Sequence, residues 1–441
     1  MKFRFRLPIL HCAVLCATAS FSLPALSADS AMDDLLDVLH DKGTITATEY
    51  ETIKKSKSTE TTKEAARVKT GKSGLKLSSS DGNFKFQLGG RVMIDTAFYN
   101  KDSTSLGNGA EIRRARLFVK GTAYDDWFYK VQFDFAGNST SLKDVYMGYS
   151  GLDSAKIKIG HFKEPFSIEE QTSSKYITFM ERGLPNAFSP GRNTGFAVST
   201  HGKTWGAAAG YFFDGVKNSS SPESQGTGAT GRIHFAPLAG KTRVIHLGAA
   251  ASFRSASGDN EIRFRERPES HVTSTRLVDT STISNYNNQT LYGLEAAAVF
   301  GSFSLQGEYM LANVDVSGAG SDPDFNGWYI FASYFLSGEH RPYKVSSGSF
   351  GRVKPDSIVG QGGTGAWEVA VRYSSIDLQD SGYTGGAQND ITLGVNWYAT
   401  PNVRFMMNYV HASTNPTSPT TFAGTGDENI NIIQLRGQVD F

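Results

Sequence analysis

The chain has 441 residues, with 44 Lys and Arg against 43 Asp and Glu, and only two cysteines. Glycine, at 46 residues, exceeds its usual share of about 7%. Beyond the first 30 residues no apolar run approaches the ~18 residues of a spanning helix. A helical membrane protein is therefore excluded.

The first residues have the pattern of an export signal. Three basic residues open the chain, residues 7–19 are largely apolar, and small residues up to Ala28 offer a cleavage site. An uncleaved anchor is the alternative, but this run is shorter than the roughly 20 residues that a spanning helix needs. We predict a signal peptide at residues 1–28.

Removal of residues 1–28 would change what the mature chain can do. Both cysteines would leave, which excludes disulfides, thiolate metal sites and cysteine nucleophiles. Lys and Arg would fall from 44 to 41 against 43 Asp and Glu, a net charge of −2. Any basic character must therefore be local.

Residues 29–80 are expected to form a periplasmic helical segment and linker. Thr46 and Glu49 have the spacing of a capping box, which predicts a second helix after a first one that ends near Gly43. Residues 54–80 are rich in Lys, Ser, Thr and Glu, which favours a solvated linker. A tail that is disordered throughout is the alternative.

From Phe84 onward, apolar and polar residues alternate with a period of two. Phe84 and Phe86 fall on one face while Lys85 and Gln87 fall on the other, as in a strand with lipid outside and water inside. Sixteen such segments begin near residues 84, 112, 127, 142, 155, 194, 204, 231, 244, 291, 303, 327, 366, 390, 402 and 430. We predict an all-β fold, a sixteen-stranded antiparallel transmembrane β-barrel at residues 81–441, after a short N-terminal helical segment.

The connections between these segments alternate between short turns and long loops, as an up-and-down barrel requires. The long loops at 163–193, 214–230, 254–290 and 411–429 fall on the outer side. Residues 337–366 are long yet fall on the periplasmic side, so either that turn is extended or the strand count is shifted there. A soluble sandwich or propeller is disfavoured because the inward faces are charged along their length.

The last segment alternates from Ile433 to Val439 and ends on Phe441. Outer-membrane barrels characteristically end this way, and their assembly machinery recognises that strand. We therefore expect a Gram-negative outer membrane as the location, with outer-membrane lipid and the assembly machinery as partners.

The inward faces carry more basic than acidic residues, which favours anions in a water-filled pore. The basic set is Arg91, Arg114, Arg116, Lys120, Lys130, Lys156, Lys158, Arg232, Arg372, Arg404 and Arg436; the acidic set is Asp95, Asp134, Asp144, Glu295, Glu308, Glu368 and Asp440. The alternative is that pore interiors carry both signs without selectivity.

Two clusters of arginine strengthen the anion hypothesis. Arg113, Arg114 and Arg116 follow one another at the second strand, and an arginine row, Arg263, Arg265 and Arg267, lies in the 254–290 loop. Residues two apart on an extended chain project to one side at steps of about 6.6 Å. A guanidinium can hold two oxygens of a phosphate-like anion without losing its charge. Simple solvation of a loop is the alternative.

The chain resembles the phosphate-selective porin O and P family over nearly all of residues 81–441. The resemblance rests on Leu88-Gly89-Gly90-Arg91, on Arg113-Arg114-Ala115, on Gly121-Thr122-Ala123-Tyr124 with Asp126-Trp127, on Thr172-Ser173-Ser174-Lys175 with Glu181-Arg182, and on Leu393-Gly394-Val395-Asn396-Trp397-Tyr398-Ala399. It implies a homotrimer of sixteen-stranded barrels, each narrowed by an infolded loop where basic residues bind phosphate-type anions.

The resemblance also implies roles for particular residues. Arg91, Arg113, Arg114 and Lys175 would belong to the constriction, the arginine row would guide anions in, and 163–193 would be the infolded loop. Strand parity puts Arg113 and Arg114 on opposite faces, so both can serve only if the hydrogen-bond ladder loosens there. Of the two, Arg114 is the stronger candidate.

The sequence departs from the family pattern at four positions. Phe128 stands where a lysine is expected, Lys143 near an expected aspartate, Arg116 in place of a tyrosine, and His271 where the row would continue with arginine. These differences predict a constriction that is basic but rearranged.

The predicted function is an anion-selective porin for phosphate, pyrophosphate or similar oxyanions. A weakly selective porin, or one for another anionic nutrient, is the alternative. No enzymatic activity, catalytic residue, metal, cofactor or nucleic-acid partner is expected, because histidines do not cluster and no nucleophile motif appears. Gly360 to Gly365 match a dinucleotide-binding spacing but lie between strands rather than in a βαβ unit.

Overall fold

The computed structural model describes residues 34–64, 66–71, 74–101, 106–216, 224–258, 260–318, 322–380, 382–415 and 428–441. The predicted signal peptide lies outside the described residues. The chain divides into two units, Met1–Ala65 and Ala66–Phe441. Within the described ranges, no helix has the length and apolarity to cross a membrane, and no three His, Cys, Asp or Glu side chains are placed to hold a metal ion.

The described part of the first unit contains two helices, α1 at residues 34–41 and α2 at Ala47–Glu64. Thr46 begins α2 through a capping box, because Thr46 N donates to Glu49 Oε2 at 2.8 Å and Glu49 N donates to Thr46 Oγ1 at 3.3 Å. The solvated linker expected over 54–80 is not observed. Helix α2 continues to Glu64, and strands β1 (Arg67–Gly71) and β2 (Gly74–Ser78) follow as a hairpin.

Sixteen antiparallel strands form the barrel in chain order. They are β3 (Phe84–Lys101), β4 (Gly109–Ala123), β5 (Trp127–Asp134), β6 (Ser141–Tyr149), β7 (Lys156–Lys163), β8 (Arg192–His201), β9 (Trp205–Phe213), β10 (Thr227–Ala239), β11 (Arg243–Ser255), β16 (Tyr286–Phe300), β17 (Phe303–Val316), β18 (Asp324–Phe335), β21 (Ala366–Asp380), β22 (Tyr383–Tyr398), β23 (Val403–Asn415) and β24 (Glu428–Asp440). Each strand pairs with its neighbours in sequence.

The barrel closes where the last strand meets the first. β24 pairs with β3 from Ile430↔Lys101 to Asp440↔Arg91. Phe441 N then donates to Gly90 O at 3.1 Å, and Gly90 N donates to Phe441 O at 2.9 Å. The sixteen-stranded closed barrel predicted from the alternation is therefore confirmed.

The hairpin β1–β2 extends the sheet beyond this closure. β2 pairs with the opening residues of β3, from Leu75↔Leu88 to Ser78↔Lys85, before β24 takes over as the neighbour of β3. The alternation of Leu75 and Leu77 with Lys76 matches that of β3. This short period-two pattern is why the segment forms strands rather than a linker.

Two long connections carry short strands of their own. The outer loop 256–285 contains β12 (Glu261–Ile262), β13 (Arg265–Glu266), β14 (Val278–Asp279) and β15 (Ile283–Ser284), and the periplasmic segment 336–365 contains β19 (Tyr343–Lys344) and β20 (Ser349–Phe350). The long connection flagged at 337–366 is thus an extended periplasmic turn. The strand count is not shifted there.

The closure seam yields a prediction about Gly90. A Cβ there would lie 2.7 Å from both Arg116 O and Phe441 Cζ, and backbone oxygen cannot move aside easily. Gly90→Ala should therefore destabilise the barrel by about 1–3 kcal/mol. The measurement is the urea concentration at the midpoint of unfolding, which should fall, read from the loss of the folded, heat-modifiable band on gels.

Gly437, in the same seam, is the matched control. Its added Cβ would meet only Phe405 Cε1, at 3.9 Å. Gly437→Ala should leave the urea midpoint unchanged. Equal midpoints for both variants would contradict this account of the seam.

Candidate functional site

The connection between β7 and β8 folds into the barrel and is called here the constriction loop (residues 164–191). It contains helix α3 (Ile168–Gln171) and a 3₁₀ turn at Leu184–Phe188. The first amides of α3 are held by the wall, because Ile168 N and Glu169 N donate to the two carboxylate oxygens of Glu308 at 3.1 and 2.9 Å. The loop is therefore fixed at its start.

Wall arginines bind the backbone of the constriction loop on the side of β21 to β24. Arg404 donates to Ile177 O at 2.7 Å and Thr178 O at 2.9 Å, and Arg372 donates to Glu181 O at 3.0 Å. Arg436 donates to Met180 O. Sequence reasoning counted these arginines as charges facing the pore. They lie instead beneath the loop, where they satisfy buried carbonyl groups.

Glu181 of the constriction loop gathers three guanidinium groups. Arg113 holds both its oxygens, at 2.7 and 2.8 Å, Arg436 Nη2 lies at 2.7 Å, and Arg114 Nη1 lies at 3.9 Å. Burial alone would raise the pKa of Glu181, but Arg113 and Arg114 hold it well below its ordinary range. Glu181 is therefore a fixed negative charge inside a basic wall.

A β-bulge brings Arg113 and Arg114 to the same side. The register runs from Met93↔Arg114 to Ile94↔Ile112, which leaves Arg113 without a partner in β3. An extra residue in one strand lets two successive side chains face inward. The hydrogen-bond ladder between β3 and β4 is therefore interrupted at Arg113, which allows both arginines to face the interior.

Between the constriction loop and strands β3 to β8 lies a cavity of about 280 Å³, called here the constriction cavity. Its basic lining residues are Arg91, Arg114, Arg116, Lys130, Lys158, Lys163, Arg182 and Arg192. Ser173, Ser174 and Gln171 add neutral hydrogen-bonding groups, and Asp144 is the acidic lining residue. The cavity is strongly positive.

Five of these cations are paired with three nearby carboxylates. Asp134 accepts from Arg116 at 2.6 Å. Asp144 pairs with Lys130 and with Arg192. Glu170 pairs with Lys163 at 3.0 Å and Arg182 at 3.1 Å, and although burial would raise its pKa, these partners hold it at about 2.

Arg91, Arg114 and Lys158 have no hydrogen-bonded carboxylate among the described residues, although Glu181 lies 3.9 Å from Arg114. Arg91 donates to Ser174 Oγ at 2.7 Å, Lys158 lies 4.9 Å from the Tyr146 ring, and no carboxylate of the described residues lies within 4 Å of either. Arg114 donates only to Met93 Sδ at 3.7 Å, and in the described part of the chain its buried Nε finds no partner. These cations keep hydrogen-bonding capacity for a ligand.

The arginine row lies in the outer loop 256–285, which also folds inward. Phe264 anchors it, with its ring 5.5 Å from that of Phe188 in the constriction loop. Arg263 binds both oxygens of Asp279 at 2.6 and 2.5 Å, whereas Arg265 is exposed. Arg267 reaches a cavity of about 190 Å³ that Arg113, Arg114 and Arg182 also line. This vestibule shares Arg114 and Arg182 with the constriction cavity.

Lys175 lies apart from the other proposed constriction residues. Its Nζ bonds Asp440 at 2.9 Å, beside Arg352 of the periplasmic segment. Burial lowers the pKa of Lys175 while Asp440 opposes that shift. The structure does not bring Lys175 to the constriction cavity. Lys175 lies on the constriction loop, whereas Arg91 lies on β3 and Arg113 and Arg114 lie on β4.

Several cavity residues were not singled out in the sequence. Arg182 belongs to the Glu181-Arg182 motif, so the resemblance to the family could have identified it as a site residue. Lys130 and Lys158 were recognised only as inward-facing residues, which was the available signal. Lys163 and Arg192 flank the constriction loop at the ends of β7 and β8, and only the folded loop reveals that they meet.

Comparison with known proteins agrees with this architecture. The sequence profile of the family phosphate-selective porin O and P matches residues 86–441. Porin O of Pseudomonas aeruginosa is 30% identical over 407 residues, covering 83% of this chain and 91% of that protein. An uncharacterized protein of Caulobacter vibrioides is 30% identical over 387 residues, covering 84% of this chain and 77% of that protein.

Solved structures share the fold at lower identity. OmpT of Vibrio cholerae superposes with a TM-score of 0.54 at 12% identity, covering 81% of this chain and 98% of that one. The anion-selective porin from Comamonas acidovorans superposes with a TM-score of 0.53 at 17% identity, covering 81% and 100%. The chain therefore belongs to the phosphate-selective porin O and P family and is a porin of the Gram-negative outer membrane.

Proposed function

We propose that this porin selects anions and passes phosphate-like oxyanions through the constriction cavity. The observation that carries the proposal is the set of three cations, Arg91, Arg114 and Lys158, that lack a hydrogen-bonded carboxylate among the described residues. A low-dielectric wall focuses their field on the pore. An entering anion would supply the missing negative charge.

The donors in this cavity suit an oxyanion better than a halide. Guanidinium groups offer paired N–H donors in a plane, and a tetrahedral oxyanion accepts several such bonds at once. Ser173 and Ser174 add hydroxyl groups beside Arg91. The three carboxylates that pair with the other five cations weaken the attraction for an anion, so the pore can release what it binds. Arg113 and Lys175 would hold the constriction loop in position through Glu181 and Asp440. The arginine row would attract anions to the vestibule.

We also propose a homotrimer. OmpT of Vibrio cholerae has been solved in a trimer form, and this chain has the same barrel architecture with large apolar side chains exposed around its outer face. Light scattering of the purified protein in detergent should give three chains per particle. A monomer mass at all concentrations would contradict this.

Planar-bilayer recording tests the proposed function. In a potassium chloride gradient the reversal potential should show anion selectivity, and added phosphate should reduce the chloride current. Arg91→Ala and Arg114→Ala should each weaken the phosphate block about 10- to 100-fold, because a hydrogen bond to a charged group is lost.

Arg243→Ala is the control, because Arg243 is exposed at the start of β11 and lines neither cavity. Its phosphate block should match that of the unmodified protein. Cation selectivity would overturn the anion proposal. A chloride current indifferent to millimolar phosphate would leave only a general anion pore, the alternative raised by the sequence.

Arg265 allows a separate prediction about access. It is exposed and stands between Arg263 and Arg267, so its field should attract anions to the vestibule. That field reaches ~30 Å at 0.01 M salt but only ~3 Å at 1 M. Arg265→Ala should lower single-channel conductance at 0.01 M and leave it unchanged at 1 M.

Arg265→Lys keeps the positive charge and is the matched control. Its conductance should equal that of the unmodified protein at both salt concentrations. An equal loss in the alanine variant at 1 M salt would mean that Arg265 acts through structure rather than through its field.

A further inference from the structure

The hairpin β1–β2 extends the inner wall of the barrel beside β3, at the residues of β3 that β24 does not reach. Lys69 pairs with Lys76 and Lys76 with Gln87, while Arg67 pairs with Ser78 and Ser78 with Lys85. Residues opposite one another in a sheet point to the same face. Arg67, Lys69 and Lys76 therefore lie on the inward face.

A cavity of about 510 Å³, called here the exit cavity, lies against this patch. Its basic lining residues are Arg67, Lys69, Lys76, Lys85 and Lys120, and its described lining includes no Asp or Glu. Only Lys85 among them has a described carboxylate within 4 Å, that of Asp125. The exit cavity is thus positive and larger than the constriction cavity.

Aromatic side chains share this cavity with the lysines. Phe128 and Tyr146 face inward, their rings 6.2 Å apart at 75°. The Phe128 ring rests on the backbone of Gly148, where an added Cβ would lie 2.3 Å from it. Tyr146 lines both the exit and the constriction cavity. The aromatic pair therefore stands at the boundary between the two.

A small inorganic anion would gain no favourable contact from this aromatic pair. The face of an aromatic ring carries the negative part of its quadrupole and repels anions, whereas it stacks well with another ring. Lys158 explains part of the position of Tyr146, through its 4.9 Å contact with that ring, but no cation lies over Phe128 in the described structure. An apolar or aromatic group on the ligand would use both rings.

The spacing fits such a ligand. In the register, Phe128 opposes Gly148, and Gly148 opposes Lys158. Phe128 and Lys158 thus lie two strands apart, roughly 10 Å at the usual strand spacing. A phosphate group held at Lys158 would place an attached ring against Phe128 and Tyr146.

We propose that the pore takes phosphate monoesters bearing an aromatic or heteroaromatic group, with the phosphate in the constriction cavity and the ring on Phe128 and Tyr146. This inference rests on the proposed function, because the same cations hold the phosphate. It extends that function from inorganic oxyanions to organic phosphates. Phe128, at a position where the family pattern has lysine, is then a specificity-determining residue.

The test compares two blockers in the same channels. Inorganic phosphate and phenyl phosphate are titrated against the chloride current in planar bilayers. Phenyl phosphate should reach half-block at about 3- to 10-fold lower concentration, the gain expected from one aromatic pair. Phe128→Leu, which keeps apolar volume but removes the ring, should bring that ratio close to one and leave the block by inorganic phosphate unchanged.

Phe196→Leu, on the lipid-facing side of β8, is the matched control and should keep the full ratio. Equal block by both compounds in the unmodified protein, or a ratio unaffected by Phe128→Leu, would overturn the inference and leave the proposed function standing. Block by phenyl phosphate without block by inorganic phosphate would contradict the proposed function and still support the ring site.

Discussion

The arrangement of the pore depends on buried arginines that bind the backbone of the constriction loop. This loop has almost no regular structure, so its inward carbonyl groups need partners inside the barrel. Arg372, Arg404 and Arg436, on β21, β23 and β24, supply them. With these guanidinium groups committed to the loop, that side of the barrel is filled. The constriction cavity is left along β3 to β8, and Arg91, Arg114 and Lys158 line it.

The periplasmic segment 336–365 and the outer loop 256–285 are also held inside the barrel by wall arginines. Arg232 donates to Ser347 O and Gly348 O of the periplasmic segment, at 3.0 and 2.7 Å. Glu269 of the outer loop accepts a hydrogen bond from Arg372. What remains is a series of cavities linked by shared lining residues. Arg114 and Arg182 join the vestibule to the constriction cavity, and Tyr146 joins that cavity to the exit. In the proposed function, an anion passes from one of these cavities to the next.

The fold could be predicted from the sequence because period-two alternation is a local property of each strand. Even the long connection at 336–365 lies on the periplasmic side that the strand count predicts. The site could be predicted only in part. Counting inward charges treated Arg404 and Arg436 as pore-lining, because nothing in a strand pattern reveals that a distant loop will cover it. Arg113 faces inward through a bulge that parity cannot show. Lys175 meets Asp440 because the folded constriction loop brings it to the last residue of β24. The β1–β2 hairpin was missed because its few apolar residues lie among lysines.

The proposed function places an oxyanion among Arg91, Arg114 and Lys158. The most direct measurement is anomalous diffraction from crystals grown with arsenate, a tetrahedral oxyanion whose arsenic atom scatters anomalously. The strongest arsenic peak should lie in the constriction cavity, with the arsenate oxygens within hydrogen-bond distance of Arg91 and Ser174. Arsenic found only along Arg263, Arg265 and Arg267, with none in the constriction cavity, would contradict the proposed function.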